Sequence, residues 1–140
     1  MGFTRYYTVK NKLDKEKFKE YSKVCKQVCE YLQKEEDYKL CNYEGEIGSE
    51  PVFSEELISF NGEAELSHES FGISTSSNGF DFTKTARKPY DSSVFACLYL
   101  AKIYFGDDIK VSGDDDEDDN LELISTIKQF LREQKLEVLL

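Results

Sequence analysis

Three stretches of the chain have apolar side chains at the three- and four-residue spacing of an amphipathic helix. The first follows a predicted N-cap at Asp14 and extends to about residue 34. The second runs from Pro89 to about residue 105, where Gly106 ends it. The third begins with a predicted capping box of Asp119 and Glu122. The predicted buried stripes of the three helices are, in order, Phe18, Tyr21, Cys25, Val28, Cys29 and Leu32; Val94, Cys97, Leu98, Ala101, Tyr104 and Phe105; and Leu121, Ile124, Ile127 and Leu131.

Other stretches are rich in β-branched and aromatic residues and predict strands. These stretches are residues 3–9, 57–60, 71–74, 80–83 and 109–112. Asn-Gly pairs at 61–62 and 78–79 predict turns, and the second lies between two alternating runs, which predicts a hairpin. In that hairpin Lys84 is opposite Ile73 and lies on the same side as Glu69, whereas His68 and Arg87 lie on the other side. Its apolar face is predicted to consist of Phe71, Ile73, Phe80 and Phe82.

The order of these elements is β-α-β-β-β-α-β-α, which predicts an α+β fold with a mainly antiparallel sheet and helices packed on one face. A length of 140 residues predicts one domain, 1–140. Residues 35–55 are polar and predict a long loop, and residues 113–119 predict a solvated acidic loop. The apolar tail 136–140 must dock somewhere and allows a homo-oligomer formed through it.

Charge and hydropathy disfavour nucleic-acid-binding, secreted and membrane-spanning proteins. The net charge is −10, and residues 43–83 contain nine acidic side chains and no lysine or arginine. Such a segment disfavours direct contact with nucleic-acid phosphates and favours a basic protein partner. The start of the chain has no apolar signal sequence, and the longest apolar run, 94–101, is too short to cross a bilayer. We therefore predict a cytoplasmic protein without a membrane partner.

The sequence predicts neither a metal nor a cofactor. The four cysteines, at 25, 29, 41 and 97, do not form the paired spacing of a zinc site and are interpreted as reduced core thiols. Asp114, Asp116 and Asp118 have the spacing of a calcium loop. However, Asp119 replaces its glycine and Ser125 replaces its final glutamate.

The densest polar constellation joins residues 68–69 to residues 84–91. Basic side chains just before a helix N-terminus are typical of an anion site, and a lone histidine is a candidate acid or base. In the alternative interpretation Asp91 caps the helix and neutralises Arg87 or Lys84, so that the cluster is a structural salt-bridge network. The catalytic candidates are His68, Glu69, Lys84 and Asp91, and the anion-binding candidates are Lys84, Thr85, Arg87, Lys88 and Tyr90.

Several short motifs together resemble a group of uncharacterised small proteins of bacteria and bacteriophages. That group has a Gly-Tyr-Thr-His-Tyr-like start, here residues 2–6 with Arg5 in place of the histidine. It also has Phe-Asn-Gly (60–62), His-Glu-x-Phe (68–71), Phe-x-Lys-Thr-x-x-x-Pro-Tyr-Asp (82–91) and Val-Ser (111–112). The Ser-Asp-Gly expected after Val-Ser is absent here. The resemblance implies a phage or mobile-element setting and no particular reaction.

Two functions remain open from the sequence. The first is a small acidic binding protein that occupies a host nucleic-acid-handling or defence protein, or that holds a small anionic ligand. The second is a small enzyme acting on a phosphate-containing substrate, with His68 as the acid or base and with Lys84 and Arg87 stabilising charge.

Overall fold

The computed structural model describes residues 2–136, with the side chain of Glu117 excepted, and has the predicted α+β fold. The predicted tail lies, apart from Leu136, outside the described residues. The α-helices are α1 (Lys15–Glu36), α2 (Asp91–Phe105) and α3 (Leu121–Glu133). The strands are β1 (Thr4–Val9), β2 (Leu40–Cys41), β3 (Val52–Phe53), β4 (Leu57–Gly62), β5 (Phe71–Ser74), β6 (Gly79–Lys84) and β7 (Ile109–Gly113). Short 3-10 turns cover Ala64–Leu66, Gly106–Asp108 and Glu117–Asn120.

The strands form two antiparallel sheets. In the first, β1 lies between β6 and β7; in the second, β4 pairs with β2, β3 and β5. One core joins side chains from both sheets and from the helices. Tyr7 of β1 connects the sheets directly, because its hydroxyl donates to the carbonyl of Gly72 on β5 at 2.7 Å.

The helix predictions are confirmed for α1 and α2. The whole predicted stripe of α1 is buried, and the carboxylate of Asp14 accepts from the Lys17 amide at 2.9 Å. On α2 the predicted inward residues are buried except Tyr104, which is half-buried. The start of α3 differs: the capping box forms between Asp116 and Asp119, and a 3-10 turn precedes the helix. As a result Leu121, predicted to be buried, is 59% exposed.

The predicted hairpin between residues 71–74 and 80–83 is wrong. Both strands exist, but β5 pairs with β4 and β6 pairs with β1. Pairing with β4 places Phe71 opposite Phe60 and Ile73 opposite Ile58, all of them buried. The hairpin would have placed Ile73 opposite the charged Lys84 instead, so pairing with β4 buries more apolar surface. Phe80 and Phe82 lie on the outer face of the first sheet and are 62% and 42% exposed.

The first Asn-Gly pair is not a turn but the end of β4. The Asn61 carboxamide donates to the carbonyls of Tyr43 and His68 at 3.0 and 2.9 Å and accepts from the His68 amide at 3.0 Å. A Cβ on Gly62 would lie 2.3 Å from the carbonyl oxygen of Leu66. Glycine is therefore required here by the close approach of another backbone segment.

The predicted loop 35–55 is also more ordered than expected. Helix α1 continues to Glu36 and ends at Asp37, which has a left-handed φ of 53°. The short strands β2 and β3 then pair with β4. Short strands of this kind have too few residues to show an alternating pattern, so the sequence alone indicated only a polar segment.

Candidate functional site

Arg5 is the centre of a buried charged cluster. Its side chain is 5% exposed, and its guanidinium forms two hydrogen bonds with the Asp91 carboxylate: Nε to Oδ1 at 3.1 Å and Nη2 to Oδ2 at 2.8 Å. Nη1 lies 3.0 and 3.1 Å from the two carboxylate oxygens of Asp115, whose side chain is also 5% exposed. The pair with Asp91 is the bidentate arrangement that the planar guanidinium favours.

Further contacts complete the environment of Arg5. Its Cζ atom lies 4.8 Å from the ring centroid of Phe3 and 5.0 Å from that of Phe95. The hydroxyl of Thr85 donates to Oδ1 of Asp91 at 2.8 Å, and the side-chain carboxamide of Asn120 donates to Oδ2 of Asp115 at 2.9 Å. Every charged group in the cluster therefore has hydrogen-bonding partners, which is the condition for burying ions.

The cluster ties distant parts of the chain together. Arg5 lies on β1, Asp91 is the first residue of α2, and Asp115 belongs to the acidic run after β7. Asp114, the neighbour of Asp115, accepts from the Thr4 amide at 2.9 Å and from the Tyr6 hydroxyl at 2.7 Å. The acidic run is thus not simply a solvated loop, because two of its members hold the first strand.

The predicted structural alternative for Asp91 is confirmed in that this carboxylate is neutralised within the protein, but it is wrong in the partner and in the cap: Tyr90 is the N-cap residue of α2, and no described side chain caps the helix. Asp91 is neutralised by Arg5, and no ion pair with Lys84 or Arg87 forms within residues 2–136. Arg5 was not among the site residues predicted from the sequence. Its position on a strand, at an apolar-facing phase between Phe3 and Tyr7, was the signal that it is buried.

The segment before α2 turns sharply over Phe3. Ala86 and Arg87 both have left-handed backbones, with φ values of 53° and 55°. The amides of Thr85 and Ala86 donate to the Phe3 carbonyl at 2.9 and 3.2 Å. The Arg87 guanidinium is 4.1 Å from the Phe3 ring centroid, so this exposed candidate residue stacks on the aromatic ring.

Glu69 and Lys84 contact each other through their backbones and through the Glu69 carboxylate. The Glu69 amide donates to the Lys84 carbonyl at 3.1 Å, and the Lys84 amide donates to Oε1 of Glu69 at 2.8 Å. The Lys84 ammonium is instead 5.8 Å from the ring centroid of Phe82 on the exposed sheet face. Within residues 2–136 the two side chains form no ion pair.

The other predicted site residues have mainly structural contacts. Tyr90 is buried and its hydroxyl donates to the Glu69 carbonyl at 2.5 Å; burial raises the pKa of this phenol. The Lys88 ammonium donates to the Glu65 carbonyl at 3.2 Å. His68 is exposed, and its backbone is held by Asn61. Glu69 thus contacts Lys84 and Tyr90, and Thr85 contacts Asp91, whereas no hydrogen bond of the His68 imidazole joins it to them within residues 2–136.

A second feature is the loop 42–50, which presents apolar side chains to solvent. Tyr43 is 60% exposed and Ile47 is 76% exposed. The loop is closed on itself: the Asn42 amide donates to Oγ of Ser49 at 3.0 Å, and the Ser49 amide donates to the Glu46 carbonyl at 3.1 Å. The Ala64 amide anchors it by donating to the Gly45 carbonyl at 2.8 Å.

The carboxylates of the acidic segment 43–83 lie mainly on the surface, and three of them, Glu44, Glu46 and Glu50, belong to this loop. Eight of the nine acidic side chains are exposed, and Glu63 is half-buried. Within residues 2–136, the ion pair formed by this segment is that of Glu55 with Lys19 at 3.4 Å, which is exposed. A solvated surface of one sign of charge produces a field that favours a partner of the opposite sign.

The interpretation of the four cysteines as reduced core thiols is confirmed. All four cysteines are free and buried, and Sγ of Cys29 lies 3.8 Å from Sγ of Cys97. Burial raises the pKa of Cys25, Cys29 and Cys97, so these thiols stay protonated at neutral pH. Across residues 2–136, no group of three or more His, Cys, Asp or Glu side chains is placed to hold a metal ion.

Comparisons with known proteins add no identity. No protein-family model, curated protein or solved structure matches this chain. Among the described helices, none has the length and apolar character needed to span a membrane.

Proposed function

We propose that this protein is an interaction module that binds a basic protein partner through the acidic surface around the loop 42–50. The observation that carries the proposal is the exposure of Tyr43 and Ile47 on a loop fixed by its own hydrogen bonds. An aromatic and an aliphatic side chain in such a position are typical of the few residues that supply most of the binding energy at an interface.

The rigidity of the loop favours binding. A loop that is already ordered loses less conformational entropy when a partner docks than a mobile loop does. Here Asn42 bonds to the amides of Glu44 and Glu46 at 3.0 and 3.3 Å, and to the Glu46 carboxylate at 3.1 Å. The exposed side chains of Tyr43 and Ile47 are therefore held in one arrangement.

The surrounding carboxylates favour a basic partner. Glu44 and Glu50 are exposed and border the apolar tips along the loop. Charges at the rim of an interface raise the association rate and select the partner more than they raise affinity. A nucleic-acid-handling protein has the complementary basic surface, and a host enzyme of this class is the partner we propose for a chain with phage-like motifs.

The alternative proposal is an enzyme that acts on a phosphate-containing substrate with His68 as acid or base. Its support is the contact of Glu69, the chain neighbour of His68, with Lys84. It predicts that His68→Ala abolishes function without altering the fold. The interaction proposal predicts that this substitution has no effect on partner binding.

The interaction proposal is tested by affinity capture from lysate of the cells that naturally produce the protein. We expect a specific partner whose capture falls as salt rises, because the approach is electrostatic. The charge-reversal variant Glu44→Lys with Glu50→Lys should lose this partner. The matched control is Glu35→Lys with Glu133→Lys, which changes the net charge by the same amount at exposed positions in the last turns of α1 and α3, where a cation is favoured.

Two results would oppose the interaction proposal. If the control and the double variant capture the partner equally, the acidic surface is not the binding surface. If His68→Ala alone abolishes function while capture is unchanged, the enzyme proposal replaces it.

A further inference from the structure

Within residues 2–136, strand β7 has an open edge. In this part of the chain it is the last strand of the first sheet and pairs on one side only, with β1. Antiparallel pairing alternates, so that every second residue directs its N–H and C=O groups away from the neighbouring strand. An edge with such groups unpaired is a template for one more strand.

The phase of the pairing identifies the outward residues. The Asp114 amide donates to the Thr4 carbonyl at 3.0 Å, and the Lys10 amide donates to the Asp108 carbonyl at 2.7 Å. The even-numbered residues of β7 therefore bond to β1. The backbone groups of Ile109, Val111 and Gly113 point away from it.

One end of this edge is closed and the other is open. The Lys102 ammonium donates to the Ile109 carbonyl at 3.1 Å and to the Gly106 carbonyl at 2.9 Å. Lysine at this position blocks strand addition at the start of β7. Among the described residues, no backbone hydrogen bond outside the β1 pairing reaches Val111 or Gly113.

The open end faces an apolar cavity of about 490 Å³. Its walls are β7, one side of α2 and the beginning of α3. The apolar part of the lining includes Phe95, Leu98, Tyr99, Leu121 and Ile124. The volume is in the range of cavities that hold organic groups of ligand size.

We propose that β7 and this cavity form a groove for an extended peptide of a partner protein, which adds as a fourth strand to the first sheet. Its backbone pairs with Val111 and Gly113, and alternate apolar side chains enter the cavity. This groove is a second surface, independent of the loop 42–50.

The charges near the open end select the peptide. Asp114 follows Gly113 directly, and Asp114, Asp116, Asp118 and Asp119 are exposed. A lysine or arginine beside the apolar positions of the peptide would meet these carboxylates. A second copy of this chain fits less well, because the apolar side chains of its own β7, Ile109 and Val111, are packed against its core and are not free to enter the cavity.

The experiment selects random nine-residue peptides displayed on phage against the purified protein, then measures binding of a synthesised winner. We expect a consensus of alternating apolar residues with a basic residue at one end. Leu121→Asp should weaken binding about tenfold or more, since Leu121 lines the cavity and is 59% exposed. Leu66→Asp, at a 46% exposed leucine outside the cavity lining, should leave binding unchanged.

Hydrogen exchange gives the structural readout. Upon peptide binding the amides of Val111 and Gly113 should become protected, whereas Lys110 and Ser112 are protected already in the free protein. The proposal is overturned if no consensus emerges, if Leu121→Asp binds as tightly as the original chain, or if the Val111 and Gly113 amides do not change. Protection of these amides that rises with protein concentration alone indicates a second copy as occupant and also overturns it.

Discussion

At the scale of single residues, the buried Arg5 has the largest structural role in the polar cluster. Its guanidinium satisfies carboxylates on α2 and on the acidic run, both largely withdrawn from water. Removing the cation would leave two buried carboxylates without their counter-charge, which costs more than the intact pair contributes. From the sequence, Arg5 was noted only because it replaces the histidine at the start of the bacterial and phage proteins that the chain resembles.

Arg5→Ala should lower the free energy of unfolding by about 3–5 kcal/mol. The matched control is Arg87→Ala, which removes an exposed guanidinium stacked on Phe3 and should cost less than about 1 kcal/mol. Urea unfolding followed by circular dichroism measures both. Equal losses would contradict the structural role of Arg5.

The glycine at position 62 gives a second prediction at this scale. Gly62→Ala should lower the free energy of unfolding by about 1–3 kcal/mol, because its Cβ would lie 2.3 Å from the Leu66 carbonyl oxygen. Gly72→Ala is the control, since the nearest atom to its Cβ would be 3.8 Å away. A turn at 61–62 instead of a close contact would make the two substitutions similar in cost.

At the scale of elements, the decisive feature is the separation of β5 and β6 into different sheets. Phe71→Ala should lower the free energy of unfolding by about 3–5 kcal/mol, because Phe71 is buried against Phe60 with ring centroids 5.3 Å apart. Phe82→Ala should cost about 1 kcal/mol or less, since its contacts are cross-strand contacts on an exposed face. A local hairpin would bury both phenylalanines and predicts equal losses, which thermal unfolding of the two variants would reveal.

The elements differ in how far the sequence predicted them. Helix α1 was predicted with its cap and its buried face, because its apolar spacing is continuous from Phe18 to Leu32, about four turns, and Asp14 is a strong N-cap. The strands were predicted as strands, but their partners were not, since pairing depends on contacts between distant residues that no local pattern contains. The Asn-Gly signal described the local chain at 78–79 and could not show that β1 and β4 offer better partners.

The candidate site was likewise predicted only in part. The sequence placed Glu69 near Lys84 and predicted that Asp91 is neutralised within the protein. The wrong register nevertheless placed Lys84 opposite Ile73, whereas Lys84 is opposite Thr4 of β1 and is exposed. Arg5 was missed because its partners, Asp91 and Asp115, are 86 and 110 residues away along the chain.

At the scale of the whole molecule, buried phenols make stability depend on alkaline pH. Burial raises the pKa of Tyr7 to about 12 and raises those of Tyr38 and Tyr90 also. Between pH 10 and 12 the unfolded chain loses these protons while the folded chain keeps them. Stability is therefore unchanged by these groups below about pH 10 and falls as pH rises above it.

Tyr7→Phe tests this linkage, because it removes one of the titrating phenols and the hydrogen bond from its hydroxyl to Gly72. The variant should be less stable than the original chain at pH 8, and the difference should shrink between pH 10 and 12. Urea midpoints measured across this range give the slope. A difference that stays constant with pH would show that the Tyr7 pKa is not raised in the folded state.

The central claim for the whole molecule is that the rigid loop 42–50 is the partner-binding surface. The most direct measurement is the affinity of the purified captured partner for the double variant Tyr43→Ala with Ile47→Ala, beside Phe82→Ala as an exposed aromatic control. We predict that the double variant loses at least about tenfold in affinity, with its unfolding midpoint unchanged, and that the control binds as the original chain does. Unchanged affinity of the double variant, or an equal loss in the control, would contradict the claim.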